Sequence, residues 1–197
     1  MSVKDNLSME YEARAMIDEN QYQTLLSFHK EHARVYHEFT NVNMYFDTED
    51  RYLVHHHMVL RIREIDDKEC ELTLKIKGEN GDLEITRELD QKAKQNLLEK
   101  MEIPSEKMIE ELKNRGVDIK SLKYITTLIT ERLEVPLRSY LFVIDKNIYK
   151  NKVDYNIEVE AKSKEGAKKH LNELGALVGA SYQEGYISKS RRAILDL

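Results

Sequence analysis

The residues best suited to chemistry in this chain are charged, and they recur at every second position. In residues 8–16, Glu10, Glu12 and Arg14 alternate with Met9, Tyr11, Ala13 and Ala15. In 59–63, Arg61 and Arg63 alternate with Leu60 and Ile62; in 72–77, Thr73, Lys75 and Lys77 alternate with Leu72, Leu74 and Ile76. Late in the chain, Asn156, Glu158 and Glu160 alternate with Ile157 and Val159. Residues two apart share one face of a strand, so each stretch predicts a strand with one polar and one apolar face. For a single strand, a solvated sheet face explains the pattern equally well. Across strands the charges segregate by sign: carboxylates pair on the first and last strands, cations on the two middle ones. Hard divalent cations such as Mg2+ and Mn2+ prefer carboxylate oxygen, whereas Arg forks and Lys point charges suit phosphate.

These side chains need a scaffold, and the rest of the sequence supplies one. Residues 35–47, rich in aromatic and β-branched types, predict a long strand after a helix that Asp18 would cap and that runs to about Lys30. Strands at 57–64 and 70–77 form a hairpin around Asp66 and Asp67, and 78–81 turns the chain into a strand over 82–89. A helical interval runs from Gln91 to about Arg115, divided at Pro104 and ended by Gly116. Strands over 119–135, 139–149 and 154–161 follow, then a helix over 164–177 with Ala167, Leu171, Leu174 and Leu177 at helical spacing. The basic tail from Tyr186 to Leu197 carries no clear pattern. About eight strands with few helices predict a mostly β, α+β fold, an eight-stranded antiparallel β-barrel with flanking helices. If it closes, its charged faces would line the interior. Like charges crowded there call for a compensating ligand.

Composition narrows the function. The chain has 197 residues and 41% apolar content, consistent with one domain over residues 1–197. Lys and Arg total 31 against 36 Asp and Glu, without the basic excess expected of a nucleic-acid binder. No apolar run approaches a membrane span, and the N-terminus lacks a signal-peptide stretch, so the expected location is the cytoplasm. A homodimer is left open. The lone Cys70 lies between Glu69 and Glu71, which oppose a thiolate and hence a nucleophilic role. His55, His56 and His57 are consecutive, cannot share one strand face, and read as surface or hairpin residues rather than metal ligands.

Glu10-Tyr-Glu12-Ala-Arg14 resembles the Glu-x-Glu-x-Lys signature of the CYTH superfamily, the triphosphate tunnel metalloenzymes, in a bacterial-type member of unassigned substrate. The order of later motifs carries the resemblance from about residue 8 to 195. Tyr45-Phe-Asp-Thr48, Leu60-Arg-Ile-Arg63 and Leu72-Thr-Leu-Lys75 resemble the family's YFDT, LRIR and LTLK strands. Thr130-Glu-Arg132, Asp145, Ile157-Glu-Val-Glu160 and Ser188-Lys189 resemble its middle arginine strand, its acidic positions and its C-terminal lysine. Two positions depart from the pattern. Arg14 stands where the family usually has Lys, exchanging a point charge for a planar fork. Asn156 stands where a third alternating acid is expected.

The resemblance implies a small-molecule triphosphate or short polyphosphate substrate, hydrolysed with Mg2+ or Mn2+ inside a charged β-tunnel. Arg14, Arg61, Arg63, Lys75, Lys77, Arg132 and Lys189 would hold phosphate; Glu10, Glu12, Asp145, Glu158 and Glu160 would hold metal; Glu10, Glu12, Arg14 and Lys75 would be central to catalysis. A class IV-type adenylate cyclase shares the same phosphate grip, and a non-catalytic polyphosphate or nucleotide binder is the third reading.

Overall fold

The computed structural model describes residues 5–66, 68–78 and 82–197, with the side chains of Ser8, Met9 and Glu10 outside the described set. Its strands are β1 (Asn6–Ile17), β2 (His37–Asp47), β3 (Met58–Ile65), β4 (Glu69–Ile76), β5 (Asp82–Glu88), β6 (Lys123–Leu137), β7 (Tyr140–Tyr149) and β8 (Lys152–Ala161). The helices are α1 (Glu19–His32), α2 (Tyr52–His55), α3 (Gln91–Lys100), α4 (Glu106–Asn114), α5 (Lys164–Gly175) and α6 (Lys189–Leu195). The strand order is that of a closed antiparallel barrel, β1-β5-β4-β3-β2-β6-β7-β8, with β8 pairing back onto β1.

The chain divides into two compact units that interleave in sequence. The first comprises Met1–Met9, Val42–Leu128 and Ser190–Leu197; the second comprises Glu10–Asn41 and Ile129–Lys189. Each has its own apolar core. In the first, Leu60 and Ile62 of β3, Leu72, Leu74 and Ile76 of β4 and Ile85 of β5 bury against Leu97 of α3 and Met108 and Leu112 of α4. In the second, Ala13, Ala15 and Ile17 of β1, Phe142 and Ile144 of β7 and Ile157 and Val159 of β8 bury with Leu25 of α1 and Ala167 and Leu171 of α5. The apolar strand faces therefore meet helices, and the charged faces lie opposite.

Local chemistry explains most boundaries. Asp18 accepts from the Gln21 amide at 2.8 Å while the Gln21 side chain accepts from the Asp18 amide at 2.8 Å, a capping box that starts α1. Ser105 caps α4 one residue after Pro104, and Gly116 ends that helical segment at φ 78°, a left-handed conformation suited to glycine. The β3–β4 hairpin turns at Asp66, which has φ 48°; Asp67 and residues 79–81 of the next turn lie outside the described set.

Three features differ from the sequence expectation. Residues Ile119–Ser121 form a 3₁₀ turn capped by Asp118, so β6 begins at Lys123 rather than 119. The tail folds as α6, which buries Ser190, Arg192, Ala193 and Ile194. The third is α2. Asp47, at the end of β2, accepts from the amides of Thr48 (2.7 Å), Leu53 (2.8 Å) and Val54 (3.1 Å), and so holds that single helical turn. This gives the acidic residue of the YFDT stretch a structural role. No helix among the described residues is long and apolar enough to cross a membrane.

Candidate functional site

In the first unit, register places the charged residues of β3, β4 and β5 in rungs. Arg63 pairs with Glu71 and Glu71 with Glu88; Arg61 pairs with Thr73 and Thr73 with Thr86; Val59 pairs with Lys75 and Lys75 with Glu84. Direct cross-strand partners share a face, so Arg61, Arg63 and Lys75 lie on one surface, opposite the apolar core. Arg63 donates from Nε to Asn43 Oδ1 at 3.3 Å, and its Nη1 lies 3.5 Å from Glu71. The Lys75 ammonium lies 3.8 Å from Asp82 and 3.7 Å from Glu84. Lys77 lies just past the end of β4 and is exposed.

The second unit holds a buried charge network. Arg132 on β6 makes a fork to Asp145 on β7, with Nε to Oδ1 at 2.8 Å and Nη2 to Oδ2 at 2.9 Å. Its Nη2 also reaches Glu158 Oε2 at 3.5 Å, and its Nη1 reaches Glu134 at 3.4 Å. Lys189, the first residue of α6, donates to Asp145 Oδ2 at 2.6 Å and lies 3.3 Å from Glu158 Oε1. Arg14 reaches the same Glu158 oxygen at 3.3 Å and also pairs with Glu12.

Burial and neighbouring charge compete at each of these groups. Burial raises the Glu158 carboxyl, but Lys189, Arg14 and Arg132 outweigh it and hold the carboxyl well below the usual range. Burial works against the Arg132 cation, yet Asp145, Glu158 and Glu134 raise its pKa. Lys189 ends lower than an ordinary lysine because burial and the Arg132 charge outweigh Asp145 and Glu158.

Of the expected residues, the structure therefore brings together Glu12, Arg14, Arg132, Asp145, Glu158 and Lys189 in one unit, and Arg61, Arg63 and Lys75 in the other. Glu160 lies directly across from Glu12 in the β1–β8 register, and Glu158 across from Arg14. The side chain of Glu10 lies outside the described set. Among the described residues, no three acidic, histidine or cysteine side chains gather as a metal cluster. The acids expected to act together are instead interleaved with Arg and Lys.

Sequence reasoning missed a polar chain beside this network. Thr130 donates to Asn147 at 3.0 Å, Asn147 donates to Asn156 at 2.6 Å, and Asn156 donates to Asp145 at 3.4 Å and Glu158 at 3.2 Å. The signal was available: Thr130 and Asn147 lie two residues from Arg132 and Asp145. Asn156, which departs from the family's acidic pattern, ties two of the buried acids together. Burial first, then Glu64, pushes the Cys70 thiol up to about 11, and the three histidines are exposed.

An eight-stranded barrel with cations and acids alternating on its strands is the architecture of the triphosphate tunnel metalloenzymes. A CYTH domain model matches residues 8–190, and the chain belongs to that family. Over 119 residues it is 34% identical to YjbK of Bacillus subtilis, a candidate triphosphatase, and the match spans 60% of each chain. A crystal structure of a candidate adenylate cyclase from Bacillus halodurans superposes with a TM-score of 0.82 at 26% identity, covering 94% of this chain and 97% of that one. The fold also matches HpAC1 from Hippeastrum, a candidate adenylyl cyclase described as having a dominant triphosphatase activity, with a TM-score of 0.72 at 20% identity over 93% and 94% of the two chains.

The family implies a divalent metal, and the donor chemistry fits one. Glu12 and Glu160 are direct cross-strand partners on one face. Carboxylate oxygens are the ligands hard divalent ions take.

Proposed function

We propose that the chain is a divalent-metal-dependent triphosphatase, acting as one CYTH domain on a triphosphate or short polyphosphate. The observation that carries this reading is the cationic surface of β3 and β4, where Arg61, Arg63 and Lys75 share one face. Arg forks and a Lys point charge on one face are the side chains that suit phosphate oxygens, and the carboxylates beside them keep the surface folded without ligand. Lys77 would add a contact at the edge of this surface; within the second unit, Arg14, Arg132 and Lys189 are that unit's own candidates for phosphate. Glu12, Glu158 and Glu160, with Glu10 and Asp145, would hold Mg2+ or Mn2+, which supplies charge neutralisation on the phosphate oxygens. The protein's share of the work is to orient the phosphates and to present fixed positive charge to the oxygens that become more negative during in-line attack.

Phosphate release from tripolyphosphate, ATP and thiamine triphosphate, with Mg2+ or Mn2+ between about pH 6 and 10, tests this reading. Release from at least one substrate is expected; none from any would overturn it. The relation to the Bacillus halodurans structure keeps a cyclase in view, and the same ATP reactions separate the two. Cyclic AMP without phosphate release would replace the hydrolase by a cyclase.

A further inference from the structure

The first unit contains buried polar atoms that its own chain does not satisfy. The Oγ1 of Thr73, a fully buried residue in the centre of β4, finds no hydrogen-bond partner among the described residues, and neither does the buried Nε of Arg61. These two residues are direct cross-strand partners, so the two lone polar groups lie on one rung. Thr86, the β5 partner of Thr73, turns its hydroxyl toward Glu84 at 3.4 Å instead of toward Thr73. Buried polar groups almost always find partners, and an unsatisfied hydroxyl costs stability that a valine in its place would not. Arg61 Nε is a donor only, and a threonine hydroxyl can donate as well. Two unused donors on one rung, with Arg63 and Lys75 on the neighbouring rungs, are the kind of groups that donate to an oxyanion.

We propose that Thr73 is a substrate-positioning residue, its hydroxyl donating to a phosphate oxygen that Arg61 Nε also contacts. This rests on the triphosphatase reading and goes beyond it by assigning a neutral donor to the cationic surface. A hydroxyl adds direction where Arg and Lys add charge. It fixes which phosphate oxygen lies on the Arg61 rung, and so the depth at which the chain of phosphates stops.

The test compares wild type, Thr73→Val and Thr73→Ser by calorimetric titration with tripolyphosphate and by thermal unfolding without ligand. Valine should weaken tripolyphosphate binding by about tenfold or more, the range for a hydrogen bond to a charged group, while the ligand-free protein melts at the same or a higher temperature. Serine should restore most of the affinity. If valine lowers the melting temperature and leaves affinity unchanged, the hydroxyl is satisfied within the protein and the proposal is wrong. Wild type that binds tripolyphosphate while Thr73→Val binds it equally defeats this assignment alone. Wild type that binds none defeats the triphosphatase reading together with it.

Discussion

Arg132 and Asp145 meet through two hydrogen bonds of 2.8 and 2.9 Å, one to each carboxylate oxygen, with Asp145 fully buried. A fork of this kind is favourable only while both partners remain, because each would otherwise be a desolvated charge. Arg132→Met should destabilise the protein by about 3–5 kcal/mol, and Asp145→Asn by a similar amount. The double variant should lose less than the sum of the singles. Urea denaturation of the four proteins checks this, and strict additivity would show that the pair is not coupled.

The acid limit of stability should lie with Glu158. Its folded pKa is held below the ordinary value of 4.5, so the unfolded chain binds the proton more readily. The stabilisation is fully present above pH 4.5 and is lost as pH falls toward the folded pKa. Glu158→Gln should flatten the rise of stability with pH in that window. Melting curves recorded from about pH 3 to 6 would show it; an unchanged slope would assign the window to other carboxylates.

How much of this was legible in the sequence depends on how local its cause is. Strand faces were legible because alternation is written into adjacent residues: Leu60 and Ile62 entered the core and Arg61 and Arg63 the opposite face, as expected. The Asp18 and Gly116 helix ends were legible for the same reason. The α2 turn was not, because its four residues depend on a carboxylate at Asp47. The α6 helix was not, because a buried Arg192 breaks the apolar rhythm that marks a helix face. At the site, each acid and base was visible singly. Their pairing was hidden, since Asp145 finds its partners 13 residues away at Arg132 and 44 away at Lys189.

Glu12→Gln keeps the side chain's shape and removes one negative charge opposite Glu160. The Mn2+ concentration needed for half-maximal activity should rise. Turnover should fall by about 10²-fold if a full electrostatic contact of about 2.7 kcal/mol is lost. The variant should remain folded, because the lost pair to Arg14 is offset in part by relief of the repulsion from Glu160 across β1 and β8. Metal titrations of activity, alongside circular dichroism of the variant, would decide; an unchanged metal requirement would remove Glu12 from the metal set.

Arg61→Ala should act on phosphate rather than metal. Tripolyphosphate affinity should fall by about tenfold or more, with the Mn2+ requirement little changed. A solvated sheet face would instead leave both unaltered, so titrating each ligand separately distinguishes the two cases.

Cys70 should be chemically quiet. With its thiol pushed up to about 11, it is almost wholly protonated near neutrality, and iodoacetamide should modify it far more slowly than a free thiol. Cys70→Ser should keep full activity. Rapid loss of activity on alkylation would contradict both expectations.

The Asp47 carboxylate that gathers the amides of Thr48, Leu53 and Val54 has a kinetic meaning as well. Four-residue helices in water fray continually, and their amide hydrogens exchange within moments. Here the amides of Leu53 and Val54 are bonded to a side chain rooted in β2, and the Val54 carbonyl accepts from Arg191 of α6 at 3.0 Å. The turn is thus tied to the strand end just before it and to a helix 137 residues further along the chain. Deuterium should enter these two positions only when the surrounding unit opens, at the pace of its core strands. A segment that looks like a surface loop by length would then be among the slowest places in the molecule to exchange.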